Sequence, residues 1–241
     1  MKEKDLPIDR SRHAIYTKNA KACVQKLLRR CYDEERAAEL WEQVQLRYAE
    51  FLKEEPAMGG ARITTSIYDP ILIFAWYAVV PDKPPLEEIQ QDIFSCFFGS
   101  FETLGKIFDL NRTWDNRLAA RIFQKANDIR VQEIERFPDS FRMGTCSYEK
   151  DQGVIRYSFT QCPNAEFAKR HHMEDVLPVM CNCDHLAMQK IHACLIREGT
   201  CVSSDCCDYC IVGDKSELAK AYELKRCENG LLVSVRKESE P

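Results

Sequence analysis

The stretch 154-VIRYSFTQ-161 breaks the period of everything that precedes it. Ile155, Tyr157 and Phe159 alternate with Arg156, Ser158 and Thr160, and a two-residue repeat describes a half-buried strand with one apolar face. Upstream the apolar spacing is helical. Ala37, Leu40, Trp41, Val44, Tyr48, Phe51 and Leu52 form a single stripe between Asp33 and Glu55. One chain that changes period in this way predicts an α+β fold: a helical N-terminal layer, then a small antiparallel sheet carrying two helices. The expected organisation is a single domain over 1–241, with 1–140 helical and 141–241 holding the sheet and most of the cysteines.

Five helices are expected in the first part. They cover Ser11 to Cys31, Asp33 to Glu55 (ended by Pro56 and the Gly59-Gly60 pair), Pro70 to Val80, Leu86 to Phe108, and Trp114 to Phe137. In the second part Met143 to Glu149 should form a hairpin with 154–161 across the turn Lys150-Asp151-Gln152-Gly153. A short helix follows from Cys162-Pro163 to about His171, and another from about Met173 to Ile191. Strands are expected near 193–200 and 207–213, then a tail that begins helically and ends in the edge strand 231-LLVSVRKE-238. No repeat of solenoid period and no low-complexity tract appears.

Composition narrows the function classes. The chain has 241 residues, 45% hydrophobic and 30% charged, with net charge −4, so it offers no basic field for nucleic acid or an anionic membrane. Its most apolar run, 71-ILIFAWYAVV-80, is too short to cross a bilayer, and the charged start MKEKDLPIDRSRH lacks the core of a secretory signal. The expectation is a soluble cytoplasmic protein. Homo-oligomer formation is left open. Neither GxGxxG, a Walker loop nor HExxH occurs.

Of thirteen cysteines, ten lie from Cys146 onward and seven lie between 181 and 210. In a reducing compartment these read as thiols, packed as small hydrophobes or used as reactive groups. Spacing argues against a closed zinc site. Cys181 and Cys183 sit two apart on an expected helix, about 200° around its axis, and Cys207 and Cys210 sit three apart on an expected strand. A metal drawing single ligands from different elements would be of the open, catalytic kind.

Several residues carry candidate chemistry. Cys181, Asp184, His185 and Met188 follow i, i+3, i+4, i+7 and would share one helix face, where a thiol, a carboxylate and an imidazole could polarise a substrate. The plainer alternative is a core cysteine beside a satisfied histidine. Cys162 stands where an N-cap would be, with Pro163 in the first helical position, and the helix dipole there lowers a thiol pKa. Its plainer alternative is a buried cysteine closing a strand. Arg197, in the middle of an expected strand, would anchor a carboxylate, or else be a solvated strand charge. The pair His171-His172 could supply a base, and adjacency allows only one of them to point inward. Cys194 is assigned to packing.

The order Cys162-Pro163, Cys181-Asn182-x-Asp184, Arg197-x-x-Thr200, then Asp205-x-Cys207-Asp208-Tyr209-x-Ile211-Val212-Gly213-Asp214 resembles the L-2-amino-thiazoline-4-carboxylic acid hydrolase family. The likeness covers roughly 140–215, and CDYxIVGD is its most specific element. It departs from the family at Ser204-Asp205, which precedes an extra Cys206 where Gly-Asp is usual. The segment is also more distantly similar to small-molecule-binding domains related to 4-vinyl reductases.

What the resemblance implies is hydrolytic opening of a cyclic amidine at the carbon between sulfur and nitrogen, giving a carbamoylated cysteine, with no cofactor. On that expectation Cys162 or Cys181 is nucleophile or water-polariser. Asp184 with His185 or His172 is acid and base, Arg197 anchors the carboxylate, and Cys207 and Asp208 face the same cleft. The partner would be a small-molecule substrate. Two alternatives stand beside it: an enzyme acting on another cyclic amide, imine or carbonyl compound, and a non-enzymatic binding or sensor module.

Overall fold

The computed structural model describes residues 3–57 and 67–238. The helical layer starts with α1 (Lys18–Cys31) and α2 (Glu34–Glu54). The first helix begins at Lys18 rather than Ser11 because Thr17 caps it, accepting from the Ala20 amide. Thr17 is itself fixed by Asp69, which accepts from its amide at 2.6 Å and its hydroxyl at 2.9 Å. Asp33 caps α2 through the Arg36 amide. Of the expected stop signals, Pro56 follows the C-cap Glu55, while Gly59-Gly60 lies outside the described residues.

The apolar run becomes α3 (Tyr68–Val79), in which Ile71, Leu72, Phe74 and Ala75 have no exposed surface. The expected helix over 86–108 is two, α4 (Leu86–Phe98) and α5 (Ser100–Leu104). The break falls on Gly99, where a Cβ would lie 2.5 Å from the Ser95 carbonyl oxygen, so only glycine fits. A long α6 (Thr113–Arg136) closes this part before Pro138. Among the described residues no helix is long and apolar enough to cross a membrane.

The second part is the expected α+β arrangement with a small antiparallel sheet. Strands β1 (Arg142–Met143), β2 (Ser147–Glu149), β3 (Val154–Gln161), β4 (Ala193–Ile196) and β5 (Cys207–Gly213) form one sheet in the order β1-β3-β5-β4, with β2 also on β3. The expected hairpin is interrupted. Ser147–Glu149 pairs with the start of β3, whereas Arg142 and Met143 pair with its end through an irregular register. Register then fixes the faces: Ile155, Tyr157 and Phe159 stand opposite Ile211, Tyr209 and Cys207. This face meets α6, where Phe123 stacks on Tyr157 at 5.0 Å. The opposite face, with Val154, Ile196, Cys210 and Val212, packs against Ala219 of α10 (Glu217–Lys220).

Between β3 and β4 the chain forms α7 (Pro163–Arg170), a 3-10 turn at Glu174–Val176, α8 (Leu177–Cys181) and α9 (Cys183–Lys190). The expected continuous helix to Ile191 is therefore split at Asn182. That side chain is fully buried and donates to Gly230 O (3.1 Å) while accepting from Leu232 N (2.8 Å). The tail pairs with itself, β6 (Tyr222–Arg226) against β7 (Leu232–Arg236), and the first of these strands was not expected. The expected strand to residue 200 ends at Ile196.

The core joins the two parts. Phe167 of α7 has no exposed surface and touches Phe51 of α2 at 5.0 Å and Phe74 of α3 at 4.8 Å. Glu55, also buried, pairs with Arg170 and with His171 Nε2 beside this contact. Truncating a fully buried phenylalanine removes transfer energy and leaves a cavity. Phe167→Ala is therefore expected to cost about 3–5 kcal/mol in urea unfolding, whereas Ile122→Ala, at a side chain 51% exposed, should stay within about 0.5 kcal/mol of wild type.

Candidate functional site

Arg197 is the first residue beyond β4, and its side chain is 1% exposed. The Ile196↔Cys210 pairing turns it toward the face that carries Tyr209. Its Nη1 donates to Asp184 Oδ2 at 3.1 Å and lies 3.4 Å from the Tyr209 hydroxyl; its Nη2 donates to Cys181 O at 3.1 Å and Leu232 O at 3.3 Å. Tyr209 in turn donates to Asp184 Oδ2 at 2.8 Å. Both bonds to Asp184 end on one oxygen, so Oδ1 is left without a partner among the described residues.

The carboxylate is partly exposed and yet poorly solvated. Asp184 keeps 34% of its side-chain surface open, yet desolvation is the largest influence on its carboxyl and raises its pKa against the pull of Arg197 and Tyr209. Both hold together when a group faces a small space walled by protein instead of bulk water. Tyr157, Cys162, Cys181 and Tyr209 share the property: each is only partly covered, and each is pushed up first by burial. Tyr157 and Tyr209 stack at 4.6 Å and line one wall. Arg130, over Phe141 at 4.8 Å and Phe159 at 5.5 Å, lies close enough to influence Tyr157 and Cys162.

Cys162 and Cys181 are held protonated. Cys162 does occupy the N-cap position of α7, without a side-chain capping hydrogen bond; the nearby Ala165 and Asn164 amides favour its thiolate, but burial overrides them and the expected lowering of its pKa is reversed. Burial likewise pushes Cys181 up to about 12, with Arg197 opposing. Cys207 is raised by its hydrogen bond to the Cys201 thiol and then by burial; of that pair Cys201 ionises first. The Cys201 amide also donates to Cys207 Sγ at 3.1 Å.

The structure thus brings together Cys162, Cys181, Asp184, Arg197 and Cys207, and it separates the others. His185, next to Asp184 on α9, points away from the partly exposed Asp184 carboxylate and is buried with Nε2 3.3 Å from Leu232 O. His172 is exposed at the end of α7 with φ 54°, while His171 turns to Glu55. Asp208 points to the opposite sheet face from Tyr209. Its carboxylate accepts the Glu198 amide (3.0 Å) and the Gly199 amide (2.5 Å), closing the loop before β5. Sequence reading passed over Tyr157, Tyr209 and Cys201. Strand parity could have found the tyrosines, since both share the face of Cys207.

Cys181 and Cys183 diverge, the latter donating to Val179 O at 3.2 Å within the helical layer, and Cys207 and Cys210 face opposite sides of the sheet. Among the described residues no group of three or more His, Cys, Asp or Glu side chains is placed to hold a metal ion.

Fold and site define an α+β protein whose sheet carries a polar cluster of a buried arginine, a clamped carboxylate and two stacked tyrosines. No protein-family model matches the chain, and neither a curated protein nor a solved structure is significantly similar to it.

His185 provides a test of this packing. Burial, with Arg197 adding to it, lowers its pKa from 6.5 to about 3. The unfolded chain therefore takes up a proton below pH 6.5 that the folded chain refuses, so stability falls as pH drops through the window from 6.5 to 3. This single group contributes a slope of about 1.4 kcal/mol per pH unit, or roughly 2 kcal/mol between pH 6.5 and 5. Urea unfolding at those two pH values should show His185→Gln losing less than wild type; equal losses would refute the assignment.

Proposed function

We propose that this protein is a hydrolase that opens a small cyclic C–N compound, with 2-amino-thiazoline-4-carboxylate the first substrate to test. The observation that carries the reading is the one-sided clamp on Asp184. Arg197 and Tyr209 hold Oδ2, and Oδ1 has no partner among the described residues. A carboxylate fixed in this way has a defined proton-accepting atom, and its raised pKa makes it a stronger base than an exposed aspartate. Water at Oδ1 would lose a proton to Asp184 as its oxygen bonds to the ring carbon between sulfur and nitrogen. The remaining hydroxyl proton of the adduct passes to the former imine nitrogen, the bond from that carbon to one ring heteroatom breaks as the carbonyl forms, and Asp184 returns its proton to the departing atom. Atoms balance as substrate plus water giving a carbamoylated cysteine.

The protonated state of Cys162 and Cys181 favours this water route over a thiolate nucleophile. Arg197 acts here by positioning Asp184 instead of reaching the substrate carboxylate, since its two terminal nitrogens are committed. The reading includes a cytoplasmic setting, supported by thirteen free thiols.

A ring-opening assay tests it. Asp184→Asn is expected to lower kcat by roughly 10²–10⁴ while the fold persists. Because the ionised carboxylate is the active form, turnover should rise with pH through a limb displaced above the ordinary aspartate value of 3.8. Full turnover in Asp184→Asn would reject the mechanism. If Cys162→Ser instead lost about 10² with Asp184→Asn active, the role would pass to the thiol. Stoichiometric binding without turnover would favour a sensor.

A further inference from the structure

A second feature lies outside the candidate site. Between α6 and β2 runs a groove of about 440 Å³ lined by Arg117, Arg121, Lys150, Ser147 and Tyr148 among others. Arg117 and Arg121 are four apart on α6 and so project side by side. Lys150 faces them from the turn after β2. No carboxylate lines the groove. None of the three cations forms an ion pair or side-chain hydrogen bond with another described residue.

Several cations elsewhere in the molecule are paired. Arg30 is neutralised by Glu88 and Asp92, Lys190 by Glu102 and Arg170 by Glu55. Glu149, the acidic neighbour of Lys150, is already taken by Arg156 at 2.8 Å. Asp128 marks the acidic limit of the groove: it accepts from Gln124 Nε2 at 3.0 Å and disfavours the Cys146 thiolate. Three convergent cations without counter-charge, beside two hydroxyls, match a compact multiply charged anion, because guanidinium forks bind phosphate oxygens bidentately.

We propose that the groove between α6 and β2 is a binding site for a phosphate-bearing small molecule. Its volume suits such a ligand, and the net charge of −4 opposes an extended polyanion such as nucleic acid. Cys146 lines the groove and also influences Tyr157 of the candidate site, so a ligand held here would border that site. The proposal does not depend on the hydrolase reading, since its readout is binding and not turnover.

The test is titration of the full chain with inorganic pyrophosphate, followed calorimetrically at about 0.15 M ionic strength. Saturable one-to-one binding is expected. Arg117→Glu with Arg121→Glu should weaken it by at least roughly tenfold, and Arg117→Gln with Arg121→Gln keeps the test alive if the charge reversal unfolds the helix. Lys53→Glu changes charge at an exposed position on α2, away from the groove, and should bind as wild type does. No saturable binding in wild type, unchanged affinity in the folded double variant, or an equal loss in Lys53→Glu would each overturn the proposal.

Discussion

The second half of this protein is organised around one buried guanidinium. Arg197 sits just past β4 with 1% of its side chain exposed, and its donors reach Asp184 of α9, the last carbonyl of α8 and the first carbonyl of β7. Its own peptide unit is also tied down. Its amide donates to Ser234 Oγ at 3.0 Å, and its carbonyl accepts from the Ser234 amide at 2.7 Å. A charge taken out of water is costly unless its donors are met, so elements that could otherwise slide are fixed to one arrangement. The price of that fixation is an aspartate drawn into a poorly solvated position.

That position determines the chemistry. In low-dielectric surroundings every group is pushed toward its neutral form, and the outcome depends on what opposes the push. Two opposing partners on Asp184 leave its carboxyl raised but able to ionise, while Cys162 and Cys181, with weaker support, stay protonated. Burial accordingly makes Cys162 and Cys181 less reactive than exposed thiols. Burial spreads the cysteines through separate layers: Cys183 in the helical core, Cys210 behind the sheet, and Cys162, Cys181, Cys201 and Cys207 around the site.

The most specific segment of the sequence, CDYCIVGD, has a divided role. Alternate residues of a strand face opposite sides, so Cys207 and Tyr209 serve the site while Asp208 and Cys210 serve the other face. Asp208 holds the Glu198 and Gly199 amides, and a Cβ on Gly199 would come within 2.6 Å of Ser204 Oγ. The segment therefore shapes the loop before β5 as well as the site. Arg197 and Tyr209 meet only because that loop returns the chain in one register.

Local periodicity was enough to determine the α+β class, the positions of α2, α3 and α6, and the strands β3 and β5. Each rests on a repeat of 3.6 or 2 that tertiary contacts had only to accept. Cys162 at a helix N-cap and Cys207 on a strand were legible for the same reason. Tertiary structure alone decided the break at Asn182, because the partners of that side chain, Gly230 and Leu232, lie some 50 residues downstream. Tertiary structure decided the thiol charge state too, since a helix dipole is a local property whereas desolvation sums over everything packed around the sulfur. Strand parity already contained the match of Tyr209 with Tyr157, but which face would meet Arg197 followed from a register that only the folded sheet sets.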